Sequence, residues 1–372
     1  MAKSYDFVII GAGIVGLSVA RELNKRHPNS SIVILEKELD IGRHASGRNS
    51  GVMHSGVYYG STTLKAKVCS LGAARMRDFA DEHEISYKKV GKVIIAGSAE
   101  DLPTLDTLLT NAKNNGVKAE RLDVQGVKEI EPYASAYEAG IYCPDTAVID
   151  SKVIINKLRE ILEEQGVEFV YGAPIRTART NQCLVETAQG KFSYEFLYNC
   201  AGAGADLIAK MFGHAGDYTL VPFKGIYYKL RVDRRHLVNG NIYPVPNVEL
   251  PFLGVHLTKA INGEVYLGPT AIPALGRENY GIFKGIKLSE SFTIGRQLIS
   301  MYKANRENFR RLAHEEMKKY YKPFFLSAAQ KLIRTLQSGD LESSNKIGIR
   351  PQLVNLKTQT LEMDYIVEKD ER

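Results

Sequence analysis

The pattern of apolar and polar positions gives the chain two textures. In the first part, strand and helix signals alternate. Residues 7–10 are an unbroken apolar run rich in β-branched side chains, the mark of a parallel strand buried on both faces. Leu17, Ala20 and Leu23 follow at helical spacing, and residues 32–35 make a second apolar run. The same reading predicts helices over 64–84 and 102–115, the latter closed by Gly116, with a strand over 91–96 between them. A short helix over 123–131 stops at Pro132, and 140–150 reads as strand and turn. Val153, Ile154, Leu158, Ile161 and Leu162 mark a helix from Ser151 to Gly166. With the strand 167–171 it makes a second αβ unit returning to the first sheet. Residues 187–199 read as a hairpin-like strand pair leading into a turn of small residues, 199–204.

From Leu220 the texture changes. Strand-like runs at 224–231, 252–258 and 264–268 are separated by Pro and Gly turns, which suits an antiparallel sheet walling a cavity. Residues 289–335 read as helices, and 363–367 as a last strand. There is no internal repeat. At 372 residues, two domains are the natural expectation.

Chemistry enters where the first strand meets the first helix. Gly11-Ala12-Gly13-Ile14-Val15-Gly16 has the spacing G-x-G-x-x-G, and Glu36 closes the second apolar run. Gly11 permits the tight turn and Gly13 lets the backbone approach a pyrophosphate. Gly16 lets helix pack on strand, so that the helix N-terminus faces the phosphates. Glu36 is placed to accept from ribose hydroxyls. Strand, helix, second strand and acidic residue all fall at the required offsets, so the stretch reads as a dinucleotide site.

Composition narrows the rest. Lys plus Arg exceed Asp plus Glu by 49 to 42, a net charge of +7 that suits an anionic substrate or membrane surface. No basic stripe interleaved with aromatics supports nucleic-acid binding. Four scattered cysteines without C-x-x-C spacing read as free thiols in a reducing compartment, and no histidine pairing suggests a metal. The apolar stretch 7–20 is too short to span a membrane, so the expected location is cytoplasmic.

The Gly- and Ser-rich loop 40–60 is long for a connection and so is expected to be functional. In it, Arg43, His44, Arg48 and His54 sit among small residues. His54 is a candidate base, because oxidising an alcohol requires removal of the hydroxyl proton and a neutral imidazole suits that near neutral pH. A histidine that merely satisfies the loop backbone is the alternative. His256, in an apolar run, is the rival base or a core residue. Arg350, in a Gly-Ile-Arg-Pro turn, is suited to clamp a carboxylate bidentately, against a structural ion pair.

The loop GRNSGVMHSGVYY (47–59), NCAGAGAD (199–206), PFKGIYYKL (222–230), PFLGVHLT (251–258), YLGPTA (266–271) and GIRPQL (348–353) occur in series. Together with the first strand they resemble the FAD-dependent L-2-hydroxyglutarate dehydrogenase/oxidase family, a branch of the D-amino-acid-oxidase-like flavoproteins. The resemblance covers essentially the whole chain. It implies an α/β fold: a Rossmann-type FAD-binding domain assembled from discontinuous segments (1–85, 148–213 and 343–372), plus an antiparallel-sheet substrate domain with helices (86–147 and 214–342). It also implies oxidation of L-2-hydroxyglutarate to 2-oxoglutarate. Hydride would go to non-covalently bound FAD, and electrons onward to a quinone, another acceptor or oxygen.

By the resemblance and by loop position, the cofactor residues are Gly11, Ala12, Gly13, Ile14, Val15, Gly16, Glu36, Lys37, Arg43, Ser46, Gly47, Arg48, Asn49 and Ser50. Val170, Cys200, Ala201, Gly202, Gly348 and Ile349 complete the set. A dicarboxylate needs a second cation, for which Lys224 is the nominee, with Tyr59 and Tyr228 as further substrate contacts. Tyr227 and Tyr228, adjacent on a strand, point to opposite faces. The basic segment 301–322 suits peripheral contact with anionic lipid and a membrane quinone. Family members continue past the position of Arg372 with a strand-turn-helix over the flavin, so an end there predicts weakened FAD affinity and turnover. Two rivals remain: amine or amino-acid oxidation on the same scaffold, and a non-catalytic flavin-binding protein.

Overall fold

The structure is a computed structural model that describes residues 2–247 and 252–369. Its first sheet has six strands. Lys3–Ile10 lies at the centre, parallel to Ile32–Leu35 on one side and to Lys191–Asn199 on the other. Glu168–Val170 adds in parallel beyond Ile32–Leu35, so the second αβ unit does return to the first sheet. An antiparallel edge, Leu184–Thr187 and Ile175–Arg179, completes it.

The helix Ile14–Arg26 forms because Leu17, Ala20 and Leu23 put one apolar stripe against the sheet. Lys25 and Arg26 suit the negative end of its dipole, and Pro28 follows the end. It packs on Ser151–Glu164, whose Ile154, Ile155, Leu158 and Leu162 are buried in the same cluster. Each such side chain contributes about 1.5–3 kcal/mol by burial. Asp150 caps that helix by accepting from the Lys152 N–H at 2.9 Å, and Gly166 leaves it at φ +82°.

The second sheet has ten strands and is mostly antiparallel. Its spine is the long pair Tyr218–Leu230 and Leu341–Asn355, with Phe223 opposite Arg350 and Lys224 opposite Ile349. Beyond it run Val265–Gly268, His256–Lys259 and Asn241–Pro244. Asn241–Pro244 then pairs in parallel with Lys92–Ile95. The strand Leu341–Asn355, placed with the cofactor segments by the sequence, belongs to this sheet by hydrogen bonding while its Ile349 reaches the cofactor cavity. Residues 370–372 of the segment 343–372 lie outside the described residues. A small third sheet joins Val52–Met53, Ala147–Ile149 and Tyr87–Lys89, and holds the end of the long loop.

Three elements differ from expectation. The strand expected over 252–258 begins only at His256, because Gly254 takes φ +72°, a conformation that no strand contains. The run 363–367 is not a strand: the Asp364 carboxylate accepts from the Leu64 and Lys65 N–H groups at 2.7 and 3.1 Å, and so caps the helix Leu64–Glu82. This tertiary demand overrides the strand propensity of a short apolar segment. The Gly-Ile-Arg-Pro segment expected as a turn is extended within the strand Leu341–Asn355, whereas the run 289–335 is helices as expected. Leu288–Ala304 and Phe309–Lys318 are separated by Asn305, Glu307 and Asn308 at positive φ, and Phe309, Leu312 and Glu316 are buried.

Candidate functional site

The glycine turn has the geometry its sequence demands. Gly11 sits at φ +106°, and a Cβ there would stand 2.4 Å from the Cys200 carbonyl oxygen; one on Gly16 would stand 1.9 Å from the Gly11 carbonyl oxygen. Ser46 Oγ accepts from the Ile14 N–H at 2.9 Å, so the loop 40–50 is pinned to the start of the helix. Asn49 ties the same loop by donating to the Ala45 and Ser46 carbonyls at 3.1 and 2.6 Å. Glu36, 7% exposed, accepts from the Ala12 and Glu38 N–H groups at 2.7 and 2.9 Å. Its carboxylate is thereby fixed at the end of the second strand, where a ribose would lie.

These groups open onto a cavity of about 600 Å³. Gly11, Gly13, Ile14, Val15, Glu36, Lys37, Arg43, Ser46, Asn49, Cys200, Ala201, Gly202 and Ile349 line it. The other expected cofactor residues sit behind the lining. Gly16 packs on Gly11, and Gly47 lies against the Gly42 carbonyl. Gly348 lies against the Arg48 carbonyl, and Ala12 turns its N–H to Glu36. Arg48 stacks on Tyr280 at 4.2 Å, Ser50 accepts from the Val52 N–H, and Val170 joins the apolar cluster around Val33 and Leu35.

Lys37 lines the cavity, but its ammonium is engaged. It bonds Glu38, Glu278 (2.6 Å) and His44 (2.7 Å). Glu38, His44 and Glu278 bring potential metal-ligand atoms within 4.8 Å of one another, and the Lys37 ammonium is already the cation bonded to all three.

Sequence reasoning missed the opposite wall. Arg277, half-buried, pairs with buried Asp206 (2.9 Å from Nη2 to Oδ2) and with Glu290 at 3.2 Å. Tyr280 holds His44 Nδ1 at 2.8 Å. Nothing in local sequence singles out residues 277–290. Leu207 and Met211, apolar yet 47% and 40% exposed, also face the cavity and offer a surface that a ring system would cover.

The expected catalytic groups do not line this cavity; they gather around the second sheet. His256 is buried, stacks on Tyr243 at 3.9 Å, and donates from Nδ1 to the Gly254 carbonyl at 2.9 Å, which leaves Nε2 as acceptor. His54 meets the same Tyr243 edge-on at 6.2 Å, and its Nδ1 is buried without a hydrogen-bond partner among the described residues. Burial above all, with the charge of Lys92 adding to it, pulls both histidines well below their usual range, His54 to about 3 and His256 to about 4. Both are neutral imidazoles at neutral pH.

Arg350 keeps an accessible guanidinium over the Phe252 ring at 5.5 Å, with Tyr59 and Tyr365 beside it, and has no carboxylate partner among the described residues. Lys224 is not its companion. Neighbours along a strand point to opposite faces, so Lys224, paired with Ile349, faces away from Arg350. Its ammonium donates to Asn279 Oδ1 and the Gly281 carbonyl at 2.9 and 2.7 Å. Tyr228 packs on Phe325 at 4.8 Å within an apolar cluster, while Tyr227 is buried on the other face. Of the expected substrate contacts, the structure therefore brings together Arg350, Tyr59 and the two histidines, and sets Lys224 and Tyr228 apart.

A glycine turn on a helix N-terminus, a fixed acidic acceptor and a long cavity define a dinucleotide-binding oxidoreductase fold, completed here by a large, mostly antiparallel sheet that carries the uncharged His256 and has His54 beside it. Comparison with known proteins then specifies it. The family described as FAD dependent oxidoreductase matches residues 6–357. The chain belongs to that family, and FAD is its cofactor; Gly11, Gly13 and Glu36 fit the pyrophosphate and ribose of such a group. L-2-hydroxyglutarate dehydrogenase of Indibacter alkaliphilus is 34% identical over 99% of this chain and 92% of its own. The mitochondrial L-2-hydroxyglutarate dehydrogenase of Caenorhabditis briggsae is 38% identical over 75% of this chain, which spans 66% of that relative. In fold, the chain is similar to L-alpha-glycerophosphate oxidase of Mycoplasma pneumoniae, with TM-score 0.75 and 19% identity over 96% and 85% of the two chains. Among the described residues no helix is long and apolar enough to cross a membrane.

Proposed function

We propose that this flavoprotein oxidises the α-hydroxyl carbon of L-2-hydroxyglutarate to give 2-oxoglutarate. The observation that carries this reading is the near end-to-end similarity to a protein named for that reaction, with an arginine that has no carboxylate partner among the described residues beside a neutral histidine. When bound, FAD would supply the two-electron acceptor for the α-hydrogen. The chain's own work is binding, orientation and proton handling. Arg350 receives the carboxylate next to the reacting carbon, the geometry a guanidinium fork favours. His54 accepts the hydroxyl proton as the C–H bond breaks, supported by its unpartnered Nδ1. His256, whose Nδ1 is committed to Gly254, is the second acceptor in reach of the same tyrosine. Tyr59 borders the Arg350 guanidinium as a further substrate contact.

Electrons leave to a quinone, another acceptor or oxygen. Exposed Lys303, Arg310, Arg311 and Lys318 support a peripheral, anionic surface as the place of delivery for a quinone.

The test is an anaerobic absorbance spectrum of the FAD-saturated protein. Bleaching of the flavin band by L-2-hydroxyglutarate, and not by its D-enantiomer or glycine, is expected. Bleaching by glycine instead would assign the site to amine oxidation, and an unmoved band would remove the substrate assignment.

A further inference from the structure

Lys92 opens the strand Lys92–Ile95 in the interior of the large sheet, opposite Asn241 on one side and Cys143 on the other. It is fully buried, at 0% exposure, and its Nζ has no hydrogen-bond partner among the described residues. No carboxylate pairs with it among those residues either. What it has is aromatic: Nζ lies 4.4 Å from the centre of the Tyr58 ring and 5.5 Å from that of Tyr243. Burial pulls the Lys92 pKa down, and the two tyrosine faces oppose that shift, because they attract an ammonium and do little for a neutral amine. An unpaired buried ammonium is costly, and stability gives no reason to keep one. Tyr243 is also the ring between the two histidines, stacked on His256 and edge-on to His54.

We propose that the ammonium of Lys92, clamped between Tyr58 and Tyr243, is a positioning charge that keeps His54 an unprotonated imidazole until substrate arrives. This rests on the reading of His54 as the base given above. The groups around His54 allow the assignment. Lys92, His256 and Arg350 face it from three different strands of the large sheet, and none is negative. Cys69, which donates to the His54 carbonyl, and Cys143 beside Lys92 are thiols whose burial pushes their pKa up, so neither supplies a countercharge. Tyr58 and Tyr243 are held protonated by burial. Burial and the positive field therefore act in one direction on His54. A bound dicarboxylate adds two negative charges next to Arg350, offsets that field, and raises the basicity of His54 when there is a proton to accept.

The experiment is a pH titration of ring-13C-labelled histidines by NMR in the FAD-loaded protein without substrate. The His54 signal is assigned by its loss in His54→Gln. In the wild type it is expected to stay neutral at pH 5. In Lys92→Met its midpoint is expected to rise by at least one pH unit, a tenfold gain in imidazolium at a given pH, and in Lys92→Arg to stay low. The acid limb of the kcat/KM profile moves with it, with FAD content unchanged. A wild-type midpoint near 6.5, or one unmoved in a flavin-loaded Lys92→Met protein, overturns the proposal. Lys92→Gln repeats the comparison if the methionine variant does not fold. Because the titration needs no substrate, a protein that ignores L-2-hydroxyglutarate but shows the shift would sink the substrate assignment and leave the role of Lys92 standing.

Discussion

His256 makes acid stability a quantitative matter. It is 5% exposed, stacked on Tyr243, and held neutral by burial at a pKa of about 4 against an ordinary value of about 6.5. In the unfolded chain the ring binds a proton as pH falls through 6.5; in the folded chain it does not until about 4. The folded state therefore loses ground progressively between these values and is unaffected above them. From the two pKa values the loss is about 1 kcal/mol at pH 5.5 and on the order of 2–3 kcal/mol at pH 4.5, levelling off below pH 4. A chain of this length has an unfolding entropy near 0.8 kcal/mol per degree, so the pH 4.5 figure is worth about 3 °C in Tm. His256→Gln lowers stability at pH 8 by removing the stack but also removes this slope. Thermal melts of both proteins at one FAD concentration between pH 8 and 4.5 are the assay; other titrating groups are shared and cancel. Parallel Tm curves for wild type and variant would refute the reasoning, because His256 would then titrate alike folded and unfolded.

Three further outcomes are expected. Gly11→Ala places a Cβ 2.4 Å from the Cys200 carbonyl at φ +106°, so the purified protein should lack flavin, read as the ratio of 450 to 280 nm absorbance. Glu36→Ala removes a charged acceptor from the Ala12 and Glu38 N–H groups and from the ribose, so FAD affinity by titration calorimetry should fall at least about tenfold, on the order of 1.5–3 kcal/mol. Asp206→Ala strips Arg277 of its main buried partner, worth about 3–5 kcal/mol, so calorimetry should show Tm lower by about 4–6 °C, with part of the loss recovered in Asp206→Ala/Arg277→Met.

Local chemistry explains why so much of the cofactor half was legible. An apolar strand, a glycine turn, an amphipathic helix and Glu36 are all specified within residues 7–36, because the turn's constraints act between atoms a few bonds apart: Gly16 against the Gly11 carbonyl, Ile14 against the first turn. The helix starting at Ser151 is just as local, with its cap Asp150 and its stop Gly166 adjacent to it. By contrast, the run 363–367 was misread because its conformation is set by a helix three hundred residues earlier, whose first N–H groups take the Asp364 carboxylate. The break between the helices Leu288–Ala304 and Phe309–Lys318 was likewise not legible, since it is carried by residues at positive φ.

The sequence by itself determined that this chain binds a dinucleotide and where it does so, and it nominated the histidines and the arginine on which the proposed chemistry rests. Only the tertiary structure decided which of those groups meet. Strand register turns Lys224 away from Arg350, and a tyrosine 189 residues from His54 stands between the two imidazoles. The Arg277–Asp206 pair builds a cavity wall from segments 71 residues apart. The physical reason is the range of the forces. Turn sterics and helix caps act over a few residues. Burial, strand pairing and the field of a buried ammonium act through space, between positions that the order of residues does not bring together.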